Sequence, residues 1–212
     1  MADSLNDKNK LALYGLMAAN IALYYGVVQN DAILAGNWVS LVRNVGEVLP
    51  AGLGIILTGV INAQIPPEMK ARIVFMSWNN PLPGCKAFTR HAKSDPRVDI
   101  TCLELTYGPL PTDPREQNAL WYKLYKSIEQ EPSVRQVHRA FLFTRDYTSL
   151  ALMLMVVLGI AGFFQIPSTR TAIFYLTVLL FQFVLAGQAA RNHGKRFVTT
   201  VLAIKGAAKV GG

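Results

Sequence analysis

Four apolar stretches, roughly Leu11–Val28, Val48–Ile65, Ser149–Phe164 and Thr171–Ala190, decide most of what this chain can fold into. A bilayer core about 30 Å thick needs about 20 apolar residues at about 1.5 Å each. The first, second and fourth stretches approach that length. The third reaches it when extended N-terminally through Phe141, Leu142 and Phe143. The pattern predicts an all-α membrane protein with four transmembrane helices and a small, mainly helical cytoplasmic domain inserted between spans two and three. Its parts are an N-terminal hairpin over 1–65, the inserted domain over 66–147, a C-terminal hairpin over 148–190 and a basic tail over 191–212.

The charges orient this layout. Alternating the five water-exposed segments puts all but Arg43 and Arg170 of the 21 Lys and Arg residues on one side. Basic flanks resist translocation, so that side is expected to be cytoplasmic, with both termini on it. The expected location is a bacterial inner membrane. The same rule explains the net charge of +8 without nucleic acid, for which no binding motif is present. The tail from Arg191 onward holds Lys195, Arg196, Lys205 and Lys209 and no acid, which suits anionic lipid headgroups. Its Val198, Val201, Leu202 and Ile204 suggest an apolar side lying in the interface. The N-terminus, with Asp3, Asp7 and Lys8 before the first apolar run, reads as a retained span and not a cleaved signal.

Between the spans, the helix signals are local. Residues 29–47 place Ile33, Leu34, Trp38, Leu41 and Val45 at helical spacing, with Asn30 or Asp31 as cap. They read as an interfacial amphipathic helix or as an extension of span two. Pro66-Pro67 ends span two. Ser94-Asp95-Pro96 and Asp113-Pro114-Arg115-Glu116 are two helix-start signals, each with Asp at the N-cap and Pro at the first helical position. The first competes with a strand, because Val98, Ile100 and Cys102 also alternate. A third start at Glu131-Pro132-Ser133 leads, with no breaker before Gly159, into one long helix over about Pro132–Phe164. Its polar face would carry Arg135, His138, Arg139, Arg145 and Asp146. Such a helix is either a rigid stalk or a carrier of cytoplasmic events into the bundle.

Three groups of residues stand out chemically. Lys86, Arg90 and Lys93 fall at i, i+4, i+7 if 85–93 is helical, and with His91 and Arg97 they form a basic patch. Together with Lys195 and Arg196, they are candidate contacts for an anionic ligand or lipid headgroups, unless they are simply a solvated charge run. Trp121 and Tyr125, interleaved with Lys123 and Lys126, could grip a nucleotide base or merely pack an amphipathic helix. Asn20, Asn62, Gln64, Gln182 and Gln188 are the polar residues of the spans, candidates for helix packing or for lining an oligomeric pore. Arg139, Arg145 and Asp146 stand at the membrane entrance of span three, placed for coupling or for snorkelling at the interface.

Enzyme signatures are missing from the sequence. His91, His138 and His193 have no nucleophile or metal partner at a telling spacing, Cys85 and Cys102 form no zinc pair, and no phosphate loop or dinucleotide fingerprint occurs. The expectation is a non-enzymatic membrane subunit without a cofactor, in contact with membrane lipids, assembled as a homo-oligomer and docking a soluble cytoplasmic partner or an anionic ligand. The alternatives are an oligomeric pore or membrane-disrupting effector of a bacterial defence or toxin system, and a lipid-acting membrane enzyme.

Overall fold

The computed structural model describes residues 7–44, 46 and 49–207. Among the described residues the regular elements are all helical. The α-helices are α1 (Asp7–Val28), α2 (Asn30–Leu34), α3 (Trp38–Arg43), α4 (Leu49–Gln64), α5 (Pro67–Phe75), α6 (Ile100–Tyr107), α7 (Pro114–Ser127), α8 (Pro132–Gln165) and α9 (Thr169–Ala207). Between α5 and α6, a run of unusual helix replaces regular α turns: 3₁₀ at Pro83–Lys86, π at Ala87–His91 and 3₁₀ again at Ala92–Ser94.

Among the described residues, three helices are long and apolar enough to cross a membrane: Asn9–Val28, α8 and α9. The expected second span is a 16-residue helix, α4, closed by Pro66 and Pro67. At about 1.5 Å per residue it covers about 24 Å, short of a bilayer core. Val48, the expected first residue of that span, lies outside the described residues, as do Val45 and Lys209. Helices α8 and α9, with 34 and 39 residues, are about 51 and 58 Å long, far more than a hydrocarbon core can take up. The expected long helix from Pro132 is therefore observed. The fourth stretch also runs on without a break to Ala207, so the basic tail continues span four.

The chain forms two compact units. One comprises Met1–Pro66 and Asp146–Ala186, the other Pro67–Arg145 and Gly187–Gly212. In the first, Tyr24 of α1 donates to Gln165 Oε1 at 3.0 Å and meets the Tyr175 ring at 6.0 Å. Met17, Ile55, Leu154, Leu158 and Leu179 complete the buried core. Leu53, Ile56, Leu57, Val156, Ile160, Phe163 and Phe174 face outward, an apolar exterior that suits lipid. Within 29–44 the chain forms two short helices, α2 and α3, and not one amphipathic helix. Gly36, at φ +63°, ends α2, and Asn37 caps α3 by accepting from Ser40 N at 3.1 Å. Neither Asn30 nor Asp31 caps α2, whose N-cap is Gln29; the Gln29 Oε1 accepts from Asn44 Nδ2 at 3.1 Å instead of capping the helix.

In the second unit, Leu103, Trp121, Leu124, Val134, Phe141, Phe197, Val201 and Leu202 form the core. The apolar side expected to rest in lipid, Val198, Val201 and Leu202, is buried in this core. Burial against protein satisfies the same hydrophobic surface that an interface would have taken. Helix α7 starts as expected: Asp113 accepts from Arg115 N at 2.9 Å and from Glu116 N at 3.1 Å, with Pro114 at the first helical position. The other start differs. Asp95 binds Arg97 instead, and α6 begins at Ile100 with Asp99 as N-cap, accepting from Cys102 N at 2.9 Å.

Candidate functional site

The site is built on the irregular run over Pro83–Ser94. Pro81-Leu82-Pro83-Gly84 brings the chain hard against α7. A Cβ on Gly84 would stand 2.4 Å from Asn118 Oδ1 and 2.7 Å from Trp121 Cε3, so only glycine fits there. The next turn is held by Gln117 of α7, which is fully buried. Its Oε1 accepts from Phe88 N at 3.0 Å and from Thr89 N and Oγ1 at 3.1 Å, and its Nε2 donates to Thr112 O at 2.8 Å. A side chain from another helix thus satisfies amides that the start of a turn leaves without partners. Short π segments of this kind recur at functional sites.

This run, the segment from Phe75 to Pro81 and the middle of α9 line a cleft of about 400 Å³. Among the described residues its cations are Lys86, Arg90, Arg191 and Lys195, and none of the side chains lining it is a carboxylate. Ser77, Asn80, Ser94, Gln188 and Asn192 add neutral hydrogen-bonding groups. Arg191 is held in place: its Nη1 donates to Val74 O at 3.0 Å and its Nη2 to Gln188 Oε1 at 3.3 Å. The His91 side chain reports the local potential. Burial, and then the positive charges of Arg90, Lys195 and Lys86, push its pKa down to about 4, so it is neutral at neutral pH. A dense positive cluster with fixed polar donors is the arrangement that phosphate oxygens select.

The sequence-predicted residues separate. Lys86, Arg90 and Lys195 share the cleft, whereas Lys93 does not line it. The expected α-helical register over 85–93 is replaced by 3₁₀ and π turns, which rotate Lys93 off the shared face. Arg97 is bound to Asp95 through Nε at 3.0 Å and Nη2 at 2.7 Å, which holds that carboxyl well below the usual carboxylate range. With Arg196 and Lys195, this pair lines a shallow neighbouring cleft. Arg191 is expected from the sequence only as part of a lipid-facing tail, and Asn192 is not expected there at all. Gln188, Arg191, Asn192 and Lys195 recur at i, i+3, i+4, i+7, a face visible only when α9 is read as one helix through Ala190.

The span polar residues do not line up either. Asn20 donates to Leu16 O at 2.8 Å, and Asn62 to Asp146 O at 3.3 Å. Both amides are buried inside the first unit with their Oδ1 atoms unpaired. Gln64 is exposed, and Gln182 donates to Tyr147 Oη at 2.6 Å. Gln188 belongs to the basic cleft of the other unit. Of the membrane-entrance trio, Arg139 is exposed and Arg145 lies 6.0 Å from the Phe141 ring. Asp146 is 6 % exposed, so it is a buried acid and not a snorkelling one. His138 does not sit on a polar face: it stacks on Phe197 at 4.5 Å, and its Nδ1 lies 3.2 Å from Tyr125 Oη.

Comparison with protein-family models, with curated proteins and with solved structures returned no match.

Proposed function

We propose that this is an integral membrane protein whose smaller helices form a receptor for a phosphate-bearing anion. The observation that carries the reading is the cleft with Lys86, Arg90, Arg191 and Lys195 on its walls and no acid among them. The Ser94 hydroxyl at the cleft donates to the His91 backbone carbonyl at 3.0 Å and not to its ring, and the role proposed is binding. In the membrane, α4 serves as a short fourth span beside Asn9–Val28, α8 and α9, with both termini and the receptor on the cytoplasmic side. The one-sided distribution of Lys and Arg supports that orientation.

The test uses the full chain in nanodiscs of neutral phosphatidylcholine, with tripolyphosphate as probe and calorimetry as readout. Saturable binding is expected, weakening steeply with added salt because the contacts are charged and solvent-facing. Replacing Lys86 and Arg90 by Gln should cost about tenfold in affinity per residue, as loss of a charge-assisted hydrogen bond does. If the probe does not bind, and the protein instead selects anionic-lipid nanodiscs through the same residues, the phosphate is that of a headgroup. If neither occurs, the receptor reading is wrong.

A further inference from the structure

We infer that the ligand of the basic cleft is a nucleotide, its phosphates among the cations and its base in an aromatic slot next door. The inference rests on the anion-binding reading above and adds a second chemical part to the ligand. A cleft of about 280 Å³ lies in the same unit, and Leu82 and Pro83 line both it and the basic cleft. One two-residue wall therefore separates a place for phosphate from a place lined by rings.

The ring slot is more than the edge of a core. Trp121 stacks on Tyr125 at 5.8 Å with 11° between planes, and Tyr122 stands 5.9 Å from Tyr125. Trp121 and Phe197 are buried and need no ligand to account for them. Tyr122 is different: it lines the slot yet is 52 % exposed, a large ring left without a cover. The Asn118 amide also lines the slot, and the buried Trp121 Nε1 has no acceptor. Tyr122 lies about 100° around α7 from Trp121, so the helix sets its ring at the open side of the slot and not in the core. A base offers what this wall lacks: a flat apolar face for the open ring and polar edges for the amide. Stacking on aromatic side chains is tolerant of base identity, so the chemistry selects nucleotides as a class.

Calorimetry on the full chain in neutral nanodiscs would compare ATP, GTP, CTP and UTP with tripolyphosphate, without added metal. At least one nucleotide should bind tenfold or more tighter than tripolyphosphate. Tyr122→Ala should bring that nucleotide down to the tripolyphosphate level and leave tripolyphosphate itself unchanged, while Tyr122→Phe should restore the preference. The loss of one base–aromatic stack corresponds to about tenfold. An independent readout uses Trp38→Phe with Trp78→Phe, which leaves Trp121 as the one tryptophan. Nucleotide should quench its emission and tripolyphosphate should not. If all four nucleotides bind no better than tripolyphosphate, the base slot is refuted and the anion receptor stands. A nucleotide preference that survives Tyr122→Ala without quenching Trp121 also refutes it. Binding of neither probe removes both readings.

Discussion

At Gly84 one methyl group separates a seated turn from a displaced one. The Cβ of Gly84→Ala meets Asn118 Oδ1 and the Trp121 ring inside contact distance. Overpacking of that kind costs about 1–3 kcal/mol, and the denaturation midpoint should drop accordingly. An unchanged midpoint would mean that Pro83–Lys86 is not held against α7. His91 makes a pH prediction of definite sign. Its imidazole takes a proton near 6.5 in the unfolded chain and only near 4 in the folded one. Between those limits the unfolded chain binds more protons, so stability is complete above about pH 6.5 and is lost on acidification toward pH 4. Lys86, Arg90 and Lys195 face the ring, and their charge is constant across this window. Unfolding midpoints measured from pH 7 to pH 4 should decline less steeply for His91→Gln than for the native chain. Parallel curves would show that His91 is not buried among cations.

Among the elements, the irregular run over Pro83–Ser94 depends on a partner from outside itself. Gln117→Leu keeps the volume but removes the acceptor for Phe88 N and Thr89 N. Each buried donor left unpaired costs about 1–3 kcal/mol. The variant should be destabilised by at least that much, and tripolyphosphate affinity should fall with it, because Arg90 rides on the same turn. Retained stability would mean that the turn is held by its own backbone. The elements that were legible in sequence carry their instructions locally. Asp113-Pro114 with Glu116 starts α7 where the cap chemistry says it should. No breaker precedes Gly159 in α8, and the helix runs on through it from Pro132 to Gln165. Asp95 shows the limit. It has the same Asp-Pro-Arg signature as Asp113, yet Asp95 takes the Arg97 guanidinium whereas Asp113 takes the Arg115 and Glu116 backbone N–H groups, and the cap of α6 passes to Asp99. Two identical Asp-Pro-Arg signals therefore end differently, and neither segment's own sequence says which of them caps a helix.

For the molecule as a whole, the sidedness of the Lys and Arg residues carries a topological prediction. Reporter fusions after Gly212 and within the loop at Gly108–Thr112 should read cytoplasmic, and a fusion near Ser168 external. An external signal from the central insert would overturn the layout and, with it, a cytoplasmic ligand. By itself the sequence determined the helical class, the membrane-length runs of α1, α8 and α9, and the one-sided distribution of Lys and Arg. Those follow from length, apolarity and charge, which are properties of contiguous residues. Tertiary structure alone decided that the basic tail belongs to a protein core, with Val198, Val201 and Leu202 buried. It also decided which cations meet: Lys86 and Arg90 from one segment, Arg191 and Lys195 from another far along the chain, with Lys93 turned away. Such convergence is set by packing between distant segments. The free energy that brings like charges together comes from the apolar contacts beneath them, and a linear pattern of charges contains no trace of it.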